Sequence, residues 1–143
     1  MTEEALQVEF LKELIISSPI QSKMNINGFY SKNISKESFC KLFSEKQVFT
    51  RDKNSSYTIP LTSVFKKILL EILIFEKEKL IYDLIHFSIR NNNKLIFISY
   101  DNMEMLEINR NEFETNFIDL IDKKYSDLEV KILDEITDDG FFS

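Results

Sequence analysis

Apolar positions along the chain recur with two periods, and the change of period separates helical from extended stretches. Leu6, Phe10, Leu11, Leu14 and Ile15 stand three and four residues apart and predict a first helix. Thr2 can cap it, Glu3 and Glu4 suit its positive end, and Ser17-Ser18-Pro19 stops it. Residues 20–34 read as irregular, with a turn at Asn27-Gly28 and with Phe29 and Tyr30 pinning the loop to the core. Ser35 caps a short second helix carrying Phe39, Leu42 and Phe43. Gln47 to Thr50 and Tyr57 to Ile59 fit two short strands around a polar loop. Pro60 opens a third helix that runs to about Glu78, because a missing N–H costs nothing in a first turn. Its inward side holds Val64, Phe65, Ile68, Leu69, Ile72 and Phe75, and Leu70, Leu73 and Ile74 widen that side. Such a helix needs cover on more than one side. The run Glu76-Lys77-Glu78-Lys79 marks its exit to solvent.

From Leu80 the period becomes two. Ile81, Ile85, Phe87 and Ile89 alternate with Tyr82, Leu84, His86 and Ser88, which predicts a strand covered on both faces. Asn91-Asn92-Asn93 turns the chain, Lys94 to Tyr100 returns it, and Asp101-Asn102 turns it again into Met103 to Ile108. Asn109 or Asn111 caps a fourth helix to about Asp122, with Phe113, Phe117, Leu120 and Ile121 inward. Leu128, Val130 and Ile132 alternate as a further strand. The expectation is one α+β domain over residues 1–143, with about four helices packed on a mainly antiparallel sheet of four to six strands.

Composition supports that reading and removes several kinds of chemistry. A 143-residue chain that is 43% hydrophobic, with 13 Phe, can fill the core of one domain. Two Gly and two Pro leave no room for a glycine-rich phosphate loop. Cys40 lies between Phe39 and Leu42 and reads as a buried, inert thiol; with a single His besides, a zinc cluster is out of reach. Met1-Thr2-Glu3-Glu4 lacks the basic start of a signal peptide. Apolar runs such as Ile68 to Phe75 contain Glu71 and fall short of the ~20 residues a membrane span needs. A cytoplasmic location is the expectation.

Charge changes the picture most. Residues 101–143 carry 13 carboxylates against four cations, a balance of −9, whereas residues 1–100 carry 11 against 14. An acidic end attracts a basic partner and repels the polyanions, nucleic acid and anionic membrane. Acidic helices and tails also serve solubility alone. Here Tyr100, Met103, Met105, Tyr125, Phe141 and Phe142 lie among the acids, and apolar anchors ringed by charge are how interfaces are built. The candidate partner-binding residues are Tyr100, Asp101, Glu104, Glu107, Glu112, Glu114, Asp119, Asp138, Asp139 and Phe141.

Catalytic constellations do not assemble. His86 sits in a mostly apolar run, where a satisfied subsurface histidine is the plain reading, and Asp83 projects from the opposite strand face. No Ser stands in a glycine-flanked nucleophile turn. Glu129-Val130-Lys131 matches the Glu-x-Lys element of metal-dependent nucleases, whose two side chains share a strand face, but the acids around it oppose DNA. Asp101-Asn102-Met103-Glu104 lacks a calcium-loop frame. Neither an enzyme, a metal nor a cofactor is expected.

The stretch from Ile85-His86-Phe87-Ser88-Ile89 to Lys94-Leu95-Ile96-Phe97-Ile98-Ser99-Tyr100-Asp101-Asn102-Met103-Glu104-Met105-Leu106-Glu107-Ile108 resembles a meander with a Tyr-Asp turn before its third strand. That meander is found in small bacterial immunity proteins that neutralise polymorphic or contact-dependent growth-inhibition toxins. The resemblance implies a small, catalytically empty protein, monomeric outside its complex, that blocks a basic nuclease-type toxin with carboxylates in the toxin's phosphate-binding cleft. Two alternatives stand beside it. One is an acidic adaptor or secretion chaperone, which would usually be dimeric. The other is a winged-helix nucleic-acid-binding protein, built from the helices and hairpin of residues 1–79.

Overall fold

A computed structural model describes residues 1–30, 32–43, 50–51 and 56–137, with only the backbone given at 50 and 51. In chain order the elements are α1 (Glu3–Ser17), β1 (Lys23–Phe29), α2 (Lys36–Leu42), β2 (Thr50–Arg51) and β3 (Ser56–Pro60). They continue with α3 (Ser63–Glu76), α4 (Glu78–Asp83), β4 (Leu84–Asn91), β5 (Lys94–Tyr100) and β6 (Met105–Asn109). A 3₁₀ turn (Arg110–Glu112), α5 (Thr115–Lys124), a second 3₁₀ turn (Ser126–Leu128) and β7 (Lys131–Leu133) complete the chain.

The strands form one sheet in the order β2-β3-β1-β4-β5-β6-β7. Every neighbouring pair is antiparallel except β6 and β7. The class is α+β with a mainly antiparallel sheet, one strand wider than the upper end of the expectation because β1 joins it. Met24, Ile26, Tyr57, Ile59, Phe87, Ile89, Phe97, Leu106 and Ile108 point to one face and share a single core with the helices. Phe10 of α1 is fully buried at its centre, 5.9 Å from the ring of Phe97, 6.2 Å from Phe117 and 5.2 Å from Tyr125. The other face carries Lys23, Asn25, Asn27, Thr58, His86 and Arg90 in cross-strand register. Its far side is partly covered where the chain after β7 lays Ile136 over Leu95 and Ile98.

Several local expectations fail for identifiable reasons. Residues 23–29 form a central strand, not a loop. Asn25 and Asn27 make the segment read polar, yet they occupy the open face while Met24 and Ile26 enter the core. Gly28 at φ +92° lets the strand pass Ile85, whose side chain would meet an added Cβ at 3.3 Å. Pro60 ends β3, and Thr62 caps α3 through its hydroxyl, which accepts from the Phe65 N–H at 3.2 Å. Lys77, at φ 57°, breaks the long helix, so the extended period starts at Leu84 and not at Leu80. Val64, Ile74, Phe75 and Tyr30 face solvent, and Cys40 is exposed. Gln47, Val48 and Phe49 of the expected hairpin lie outside the described residues. Residues 1–79 contribute three strands to the sheet that also holds the meander, so they are no separate winged-helix unit.

Two carboxylates serve the fold from inside. Asp83, fully buried, accepts from the backbone N–H groups of Lys32, Asn33 and Ile34 at 2.9–3.3 Å and from the Asn33 side chain at 2.7 Å. Glu76, 5% exposed, accepts from the hydroxyls of Ser38 at 2.6 Å and Ser35 at 2.8 Å and from the Ser35 N–H at 3.2 Å. Together they fasten the start of α2 to α3 and α4. Burial disfavours the Glu76 charge, but the bonds from Ser38 and Ser35, with Lys79 nearby, outweigh it and hold the carboxyl below its ordinary value. The folded-state pKa is therefore lower than the unfolded one, near 4.3. This stabilisation is present above that value and is lost as pH falls through the folded pKa. In urea melts, Glu76→Gln should be less stable than the wild type by about 1–3 kcal/mol at pH 6. The gap should narrow steadily below about pH 4.3. A gap that does not change with pH would contradict the assigned role.

Candidate functional site

Among the described residues the β5–β6 connection is the longest run of left-handed backbone. Asp101, Asn102 and Met103 all have positive φ, at 53°, 55° and 67°. Each left-handed non-glycine residue costs roughly 1–2 kcal/mol, so three in a row persist only where their surroundings hold them. Asn102 supplies the hold. Its side-chain nitrogen donates towards the carbonyls of Ile81, Tyr82 and Leu84 at 2.9–3.0 Å, and its backbone N–H donates to Ile85 O at 2.8 Å. Two N–H bonds thus serve three carbonyls at the α4–β4 corner, which α4 leaves without helical partners. The Asp101 N–H donates to His86 Nδ1 at 3.1 Å, which gives the lone histidine a structural task. Met103 is buried, and the buried side chain of Gln7 donates to its carbonyl at 3.4 Å.

That turn brings the strand end against the start of α1. Glu3, Glu4 and Gln7 from α1, Ile81 and Tyr82 from α4, and Asp101, Asn102 and Glu104 line one cleft of about 320 Å³. Four carboxylates meet there. None of them is ion-paired among the described residues. Glu3 and Glu4 sit in the first turn of α1, where the Thr2 hydroxyl accepts from the Ala5 N–H at 3.1 Å and the helix end favours negative charge. Tyr82, 43% exposed, supplies an aromatic surface at the rim.

The remaining expected residues lie elsewhere. β5 and β6 run in opposite directions, so Glu112, beyond the far end of β6, sits beside Lys94 in an ion pair of 3.3 Å, a strand length of roughly 20 Å from Asp101. Glu107 is on the open sheet face, with Lys131 of β7 as its register partner. Glu114 joins Glu13 in a second cleft, about 540 Å³, between the end of α1 and the start of α5. There Lys66 donates to Ile16 O at 3.2 Å and to Ser18 O, and burial pushes its ammonium pKa down. Asp119 is exposed on the outer side of α5. Tyr100 faces the open side of the sheet, its ring 5.8 Å from that of His86. Asp138, Asp139 and Phe141 lie outside the described residues. Among the described residues the C-terminal acids therefore do not form one surface. Asp101 and Glu104 gather with two N-terminal acids instead, and nothing local in the sequence signals a contact 96 positions apart.

Among the described residues no three or more His, Cys, Asp or Glu side chains are arranged to hold a metal, and no helix is long and apolar enough to cross a membrane. Glu129 has a left-handed backbone before β7, so it shares no strand face with Lys131. Comparison with protein-family models, curated proteins and solved structures finds no match for this chain.

Asn102→Ala removes the bonds and keeps the left-handed backbone, and should lower stability by about 2 kcal/mol. Asn102→Gly also removes them but relieves the backbone, and should recover about 1 kcal/mol of that loss. Equal urea midpoints for the two variants would contradict this division.

Proposed function

We propose that this protein is a binding inhibitor of the immunity type, which neutralises a basic, nuclease-type bacterial toxin through the Glu3–Glu4–Asp101–Glu104 cleft. The observation that carries the reading is the convergence of four unpaired carboxylates around an exposed tyrosine on a chain of net charge −6. Gathered like charges repel one another, and a cationic partner relieves that repulsion as it binds. A nuclease must hold phosphates with Lys and Arg, so carboxylates spaced along a cleft can occupy the same cations. Tyr82 gives the contact an aromatic anchor with few rotatable bonds. The acids steer encounter from a distance and the tyrosine slows departure. The protein acts in this reading by occupancy and performs no reaction.

The test is co-expression with the toxic C-terminal domains of the host's own secreted toxins, read as growth. One of them should become harmless in the presence of the wild-type chain. The variant Glu3→Gln, Glu4→Gln, Asp101→Asn, Glu104→Gln should fold, as judged by circular dichroism, yet fail to protect. Its association rate with that toxin should fall at least about tenfold at low salt. If no toxin is neutralised, or the variant protects as well as the wild type, the proposal fails.

A further inference from the structure

Helix α3 presents an apolar stripe to solvent. Val64, Ile74 and Phe75 are each at least 60% exposed, and Ile68 between them is half-buried. Val64, Ile68, Glu71 and Phe75 stand four, three and four residues apart, so at about 3.6 residues per turn they fall on one side of the helix. Lys67 and Ile74 run along the edge of that side. The opposite side of α3, with Phe65, Leu69, Ile72 and Leu73, is already packed in the core. Three large apolar side chains exposed along one helix mark a contact surface. The stripe is a ridge between two hollows. α2 leaves one of about 140 Å³ beside Ile68 and Phe75, and α1 leaves one of about 280 Å³ beside Ile74. A ridge with a groove on each flank is the shape against which a second helix packs.

The order of the charges identifies the occupant. Lys67 and Glu71 are exposed, and neither is ion-paired among the described residues. They stand one turn apart with Lys first, the weaker order for pairing within a helix. About Leu69 as midpoint, the stripe is its own complement when read backwards. Lys67 and Glu71 lie two positions to either side of it, and Val64 and Ile74 lie five. A second α3 running antiparallel, related by a two-fold axis at the level of Leu69, sets each Lys67 against the partner's Glu71 and each Val64 against the partner's Ile74. A parallel pair would set lysine against lysine and glutamate against glutamate, which repels.

From this geometry we infer that the protein pairs with a second copy of itself through antiparallel α3 helices. It departs in this from the monomer that the meander's resemblance implies. The stripe of one helix covers less than the ~800 Å² per partner of a standard interface, so the dimer is a weak one that forms at about 10 µM to 1 mM. The contact uses no residue of the acidic cleft and needs no toxin, so it stands or falls separately from the inhibitor reading.

The experiment is sedimentation equilibrium of the full chain from about 10 µM to 1 mM. A thiol reductant is present because Cys40 is exposed. The weight-average mass should rise with concentration towards that of two chains and level there. Lys67→Glu and Glu71→Lys, each alone, should weaken pairing about tenfold, since each sets like charges together at both symmetry-related contacts. An equimolar mixture of these two variants should pair again, because both contacts are then between opposite charges. Phe75→Ser should also weaken pairing, while Met105→Ser, which removes an exposed apolar side chain outside the stripe, should not. Four results would overturn the inference: a single-chain mass throughout, a mass that climbs past two chains without levelling, a mixture that stays monomeric, or equal effects of the Phe75 and Met105 substitutions.

Discussion

The side chain of Asn102 is the small part on which the larger arrangement depends. It satisfies carbonyls that α4 exposes as it gives way to β4, and in doing so it holds three consecutive residues in a backbone conformation they would otherwise avoid. Met103 is thereby driven into the core beside Gln7, and Asp101 and Glu104 are turned towards the start of α1. An ordinary two-residue hairpin here would leave the acids of the meander apart from those of the helix. Strain in the backbone and convergence of charge thus have one origin.

Charge is consequently divided along the molecule. Carboxylates crowd the end where β4 begins, and Lys23 and Arg90 stand opposite each other where β4 ends. Net charge alone hides this polarity. It also hides that some acids are buried: Asp83 and Glu76 act as acceptors for the segment leading into α2, and their work is structural. A count of carboxylates by sequence region therefore mixes groups that hold the fold, groups already paired such as Glu112, and groups open to a partner.

The meander was legible because its strands alternate cleanly and are joined by asparagine turns. α1 was legible because an apolar stripe, a threonine cap and a serine-proline stop agree with one another. β1 was not, since its outward side chains are the asparagines that usually mark loops, and only its tertiary neighbours reveal which face they occupy. The break at Lys77 had no signal beyond a charged run, which also describes an exposed helix end. For the site, the sequence pointed to Asp101 and Glu104 and missed Glu3, Glu4, Gln7 and Tyr82, because proximity between α1 and the β5–β6 turn is a property of packing. Tyr100 was singled out as an anchor by composition. Strand alternation sends it to the opposite face, and Tyr82 takes its place at the rim.

Hydrogen exchange on the complex with a neutralised toxin addresses the central claim most directly. Protection gained on binding should concentrate at the first turn of α1, at Tyr82 and across residues 101–104, and should weaken as salt is raised. Protection confined to the open sheet face around Lys23 and Arg90, with the acidic cleft exchanging as it does in the unbound protein, would contradict the account.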